Sequence, residues 1–109
     1  MIRLPVPPSV NALFRNAAGK GRVKTGQYKA WLMEAGLKLK LQRPIPVLGR
    51  YTLLIRIPQS LQGDIDNRIK AVSDLLVTHE VVEDDRYAWR VTVERAAVQE
   101  CEVELVSYV

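Results

Sequence analysis

The chain is poor in the residues that staple or ligate a fold. It has one cysteine, Cys101, and one histidine, His79, among 109 residues. A single cysteine excludes an internal disulfide framework, and the two residues together cannot furnish a structural zinc cage. No apolar stretch approaches the roughly 20 residues that a membrane helix requires. The opening Met1-Ile2-Arg3-Leu4-Pro5-Val6-Pro7-Pro8 has no apolar h-region, so a reducing, cytoplasmic setting with no membrane partner is the expectation. Only six Gly and six Pro accompany 48% apolar residues, a composition that is neither disordered nor collagenous, and residues 1–109 are expected to form a single domain.

Acidic residues are almost missing from the first half. Residues 1–50 carry ten Lys and Arg against the single acid Glu34, a net of +9, whereas residues 51–109 carry six basic and eleven acidic groups, a net of −5. A basic half attracts a polyanion through counterion release. A carboxylate-rich half carries the oxygens that hard cations take. Together they suggest metal-dependent chemistry on nucleic acid.

Along the chain, residues 2–6 read as a short edge strand stopped by Pro7-Pro8, because proline offers no ladder donor. Ser9 to Thr25 shows no sustained period and holds Gly19 and Gly21 among basic residues. It reads as a loop, mobile without a ligand. Thr25 is placed to cap a helix whose apolar positions Tyr28, Trp31, Leu32, Ala35 and Leu39 recur at helical spacing, with Leu37 and Leu41 widening the face and Pro44 and Pro46 ending it. Val47 to Ile57 alternates as a half-buried strand.

A second helix is expected from about Asp66 to Val77, with Ile69, Val72, Leu75 and Leu76 on one side and Asp66, Asn67, Lys70 and Asp74 on the other. Arg86 to Glu94 alternates again, with Tyr87, Trp89, Val91 and Val93 facing one way. Glu100 to Tyr108 forms the last strand, whose outward Glu100, Glu102 and Glu104 would oppose Arg86, Arg90 and Arg95 in a hairpin as solvated cross-strand partners.

The sharpest local signal is Gly63-Asp64-Ile65-Asp66-Asn67-Arg68-Ile69-Lys70. Alternate residues of an extended segment point the same way, so Asp64 and Asp66 can aim at one place. Two such carboxylates repel unless a cation lies between them. A helix cap would account for Asp66 or Asn67 but not for Asp64 as well. Lys70 lies one turn beyond Asp66, within reach of an i, i+4 ion pair. An EF-hand loop starting at Asp64 fails, since Arg68, Ile69 and Leu75 stand where an oxygen ligand, Gly and Glu are needed.

Neither a Gly-x-x-x-x-Gly-Lys-Ser/Thr loop nor a Gly-x-Gly-x-x-Gly loop is present, and His79, the one available base for a hydrolase, reads as an ordinary loop residue. A second acidic group, Glu83-Asp84-Asp85, follows the helix. By itself it reads as a turn before a strand. Brought beside the first box, it would complete a carboxylate site suited to magnesium.

Val6-Pro7-Pro8-Ser9 with Asn11, Thr25-Gly26-Gln27-Tyr28, Asp64-Ile65-Asp66-Asn67 with Lys70 and Asp74, and Asp84-Asp85 before a strand resemble, in order and spacing, the RusA family of Holliday-junction resolvases. The resemblance implies an α+β fold, a small mixed β-sheet with two principal helices. It also implies a homodimeric, Mg2+-dependent endodeoxyribonuclease that cuts four-way DNA junctions symmetrically in recombination and repair, in many cases encoded by phages or prophages. Carried over by position, Asp64, Asp66 and Asp85 are the implied metal-binding carboxylates and Lys70 the catalytic lysine. Asp84 and Asn67 are further metal-contacting or orienting candidates, and Asp74 is a weaker match.

Family members commonly carry basic residues just before the Asp-x-Asp-Asn box, where this chain has Pro58 to Gly63. Asn11, Arg15, Lys20, Arg22 and Lys24 are the expected DNA contacts. Two cuts related by a junction's two-fold axis require two sites and hence two copies of so small a domain. The Trp31 helix or the Trp89 strand would supply the apolar contact between copies, although both tryptophans read first as core. The rival reading is a DNA-binding module without catalysis, its acidic box a mere helix cap. A structural or assembly protein is a third.

Overall fold

The most apolar alternating stretch takes the centre of the sheet. Strand β4 (Tyr51–Pro58) buries Tyr51, Leu53, Ile55 and Ile57 on one face, each burial contributing about 1.5–3 kcal/mol. Strand β6 (Cys101–Ser107) pairs with it antiparallel, and β1 (Ile2–Leu4) pairs with β6 as the expected edge strand. On the other side β5 (Ala88–Ala96) runs parallel to β4, giving the order β1-β6-β4-β5. Helices α1 (Gly26–Gln42) and α2 (Ile69–Thr78) complete the core with Tyr28, Trp31, Ala35, Leu39, Val72, Leu75 and Leu76. This computed structural model, which describes residues 1–108, is the α+β architecture expected, with a mixed sheet and two helices.

Several segments differ from the sequence-based expectation. Residues 9–25 are built structure: a 3-10 turn at Val10–Ala12, then β2 (Phe14–Ala17) and β3 (Gly21–Lys24) as an antiparallel two-stranded sheet. Gly19 and Gly21, at φ +73° and +69°, close that hairpin in the left-handed region that side chains resist. Leu37 and Leu41 are 62% and 74% exposed rather than part of the buried face, since each lies two residues, or 200° of helix, from Ala35 and Leu39. Val47 makes only an isolated parallel bridge to Val82, and the strand proper begins at Tyr51.

The expected hairpin between the last two strands does not form either, because β6 docks against β4 and β1. The glutamates keep cationic partners, but different ones. Arg56 lies 3.2 Å from Glu104 and 3.7 Å from Glu94, Arg3 lies 4.0 Å from Glu102, and Lys38 pairs with Glu100. Finally, Tyr87 belongs to a 3-10 turn and β5 is an edge strand that leaves Trp89 54% exposed. Trp31 is buried as read, its indole N–H donating to the Pro5 carbonyl at 3.0 Å.

Candidate active site

The acidic box leaves the C-terminal end of β4 and enters α2 through a 3-10 turn, Ile65–Arg68, so the α-helix itself starts at Ile69 rather than near Asp66. Two arginines hold this segment in place. Arg95 of β5 donates to the carbonyls of Gln59 at 3.4 Å, Gly63 at 2.8 Å and Leu61, and Arg68 donates to Pro7 at 2.8 Å and Gln62 at 3.2 Å. No sequence period announces this clamp. It exploits the guanidinium's five fixed donors against a loop whose carbonyls have no ladder to join.

Held this way, Asp64 and Asp66 stay exposed. Asp64 occupies the N-cap position of the 3-10 turn, and Arg68 that of α2, without a side-chain cap bond in either case. The helix-cap reading of the box is thus wrong for this fold. The expected Asp66–Lys70 pair is also replaced: Lys70 Nζ lies 3.3 Å from Asp74 Oδ2, because the 3-10 turn takes Asp66 out of the α-helical stagger that an i, i+4 contact needs.

The second acidic group enters at the other end of β4, where Ala88 pairs with Tyr51. The Asp84 carboxylate accepts from the Arg86 N–H at 3.0 Å and caps the 3-10 turn Asp85–Tyr87. That bond, with one shared with Asp85, holds Asp84 below the usual carboxylate range. Asp85 moves the opposite way, pushed up first by the hydrogen bond with Asp84 and also by the charge of Asp74, against a smaller downward pull from Lys70. Two carboxylates whose titrations are driven apart mark accumulated negative charge.

Around them opens a cleft of about 620 Å3 lined by Phe14, Lys24, Tyr28, Asp74, His79, Asp84 and Asp85 among others. Tyr28 is held above its ordinary pKa by burial and by Asp74, and Tyr51 by burial and by Asp85 and Asp84. Thr25 ties this wall together: its hydroxyl accepts from the Tyr28 N–H at 3.1 Å and donates to the Ala12 carbonyl at 2.6 Å, so one residue caps α1 as expected and anchors the base of the hairpin.

The structure therefore brings together Lys70, Asp74, Asp84 and Asp85, and sets Asp64, Asp66 and Asn67 on the segment at the head of α2. Among the described residues no group of three or more His, Cys, Asp or Glu side chains is gathered to hold a metal ion. Asp74 is the residue that the sequence undervalued, and its helical position four residues after Lys70 was the signal. Asn11 is exposed on the 3-10 turn before the hairpin, and Arg15, Lys20, Arg22 and Lys24 are exposed on the hairpin. None of these four cations forms an ion pair among the described residues, and the Arg22 guanidinium lies 4.5 Å from the centre of the Phe14 ring.

Among the described residues no helix is long and apolar enough to cross a membrane. No curated protein is matched by the chain. A family model described as endodeoxyribonuclease RusA matches residues 5–106, a span that takes in the hairpin, the cleft and both acidic groups. With 109 residues in all, nearly the whole chain is covered, and it belongs to the RusA endodeoxyribonuclease family.

Proposed function

We propose that the protein is an Mg2+-dependent endonuclease that resolves four-way DNA junctions by paired, symmetric phosphodiester hydrolysis, acting as a homodimer in the cytoplasm during recombination and repair. The observation that carries this reading is the family match across residues 5–106. The free state of the box supports it, since Asp64 and Asp66 are exposed, uncapped and outside every ion pair among the described residues.

The donor chemistry is that of a hard cation: by family position, carboxylate oxygens at Asp64, Asp66 and Asp85 would hold it, with Asp84 and Asn67 as orienting neighbours, although the described residues do not gather three such groups in one place. When bound, the ion lowers the pKa of a coordinated water and offsets charge that develops on the phosphodiester. Lys70 adds a positive charge beside Asp85 and stabilises the same developing charge. The hairpin cations Arg15, Lys20, Arg22 and Lys24, with Asn11, bind phosphates and orient the duplex arms. Two copies supply two sites, and the exposed Met33, Leu37 and Leu41, spaced one turn apart on α1, offer each copy the same apolar stripe.

Asp64→Asn, Asp66→Asn and Asp85→Asn test the reading directly. Each should abolish Mg2+-dependent cleavage of a labelled junction while binding is kept or tightened, because losing a negative charge disables the site and eases the approach of phosphates. Cleavage above about a tenth of wild type in all three, a barrier change under ~1.4 kcal/mol, would contradict the assignment.

A further inference from the structure

Trp89, at 54% exposure, stands on the edge strand four residues after Asp85, and Tyr108, at 42%, follows β6. Their ring centres are 6.2 Å apart. The Arg50 guanidinium lies 5.1 Å from the Trp89 ring centre and 5.8 Å from that of Tyr108. The backbone fixes the group, since the Tyr108 N–H donates to the Arg50 carbonyl at 2.9 Å.

Neither the Arg50 guanidinium nor the Trp89 indole N–H has a carboxylate or hydrogen-bond partner among the described residues. Exposed Arg86 and Arg90 flank Trp89 in sequence. Two exposed rings crowned by a guanidinium that no carboxylate neutralises fit a base with its phosphate better than an apolar partner. Rings take the face of a base, and the cations take the backbone. The group shares an end of the sheet with Asp84 and Asp85, through the Tyr51–Ala88 pairing and the bond from the Gly49 N–H to Glu83 Oε1 at 2.7 Å.

We propose that Trp89, Tyr108 and Arg50 form a stacking platform for an unstacked nucleobase at the branch of the DNA substrate. The proposal rests on the branched-DNA reading above and adds a means of telling a branch from a duplex, since a branch offers an unstacked base and a duplex does not.

Binding of a four-way junction and of a linear duplex, measured by anisotropy at one salt concentration, tests it with Trp89→Ala, Trp89→Phe and Tyr108→Ala. Loss of a stacking residue should weaken junction binding by roughly five- to a hundredfold, leave duplex binding within about twofold, and be largely restored in Trp89→Phe. Tyr108→Ala lies beyond the last strand and should reproduce part of the loss without touching the core. A 2-aminopurine at the branch should be quenched by wild type and not by Trp89→Ala. Unchanged junction binding, or equal loss on both DNAs, would overturn the platform while leaving the family reading intact. So would a wild-type dimer that sediments as a monomer with Trp89→Ala, which would make the patch a subunit contact. A wild type with no preference for the junction would overturn both.

Discussion

Replacing Gly36 by alanine sets two opposing terms against each other inside α1. Alanine in place of a helix-interior glycine is worth about 1 kcal/mol. A Cβ on Gly36, however, would lie 2.9 Å from Nε2 and 3.3 Å from Cε1 of His79, inside the roughly 3.5–4.0 Å at which such contacts attract. Overpacking of this kind costs about 1–3 kcal/mol. The imidazole ends a short side chain at the C-terminus of α2 and borders the cleft, so it has space to swing and the cost falls at the low end. Gly36→Ala should therefore lower stability by about 0–1 kcal/mol. In a His79→Ala background the same change should raise it by about 1 kcal/mol, or roughly 4–8 °C in Tm for a domain of this size. Thermal melts of the four chains of this cycle give the coupling, expected to be at least ~1 kcal/mol. Equal stabilisation by Gly36→Ala in both backgrounds would refute the packing of His79 on the helix.

Lys70→Ala should slow single-turnover cleavage at saturating enzyme by more than about tenfold with junction affinity little changed; recovery of the wild-type rate at saturation would reduce Lys70 to a surface contact. Neutralising Arg15, Lys20, Arg22 and Lys24 together should weaken DNA binding and flatten its salt dependence by a slope of about 0.9 for each phosphate that the protein no longer neutralises, and an unchanged slope would place the hairpin away from the DNA. Burial, with Glu100 and Glu102 nearby, pushes the Cys101 thiol up to about 12. The folded state thus keeps its proton where the unfolded thiol gives it up, so stability should fall as pH rises above about 9 and go on falling until the folded thiol itself ionises. Thiol reagents at neutral pH should leave Cys101 untouched until the chain unfolds, and rapid labelling of the native protein would contradict its burial.

Where one face is buried by one period, the sequence was legible. Tyr51, Leu53, Ile55 and Ile57 alternate and are buried, and Tyr28, Trp31, Ala35 and Leu39 recur helically and are buried. Strand partnership was not legible, because alternation in Arg86–Glu94 and in Glu100–Tyr108 says which residues share a face and nothing about which strand lies beside which. β4 has two edges to fill, and β5 and β6 take one each. The exposure of Trp89 is hidden for the same reason, since only an edge position leaves its side uncovered. The hairpin at 14–24 is hard to read because its strands are four residues each and its turn is carried by Gly19 and Gly21 without an Asn-Gly signal. At the site, the box and Asp84-Asp85 stand out as residue types, whereas the Arg68 and Arg95 clamp and the nearness of Asp74 to Asp85 arise from tertiary packing that no spacing encodes.

The most direct measurement follows a four-way junction, labelled on each strand in turn, through incubation with the protein in Mg2+ and in EDTA. Paired incisions on two strands of like polarity, dependent on Mg2+ and lost in Asp66→Asn, are the expected result. Tight junction binding with no incision in Mg2+ would contradict catalysis and make the chain a DNA-binding module, and equal cutting of linear duplex would contradict its selectivity for the branch.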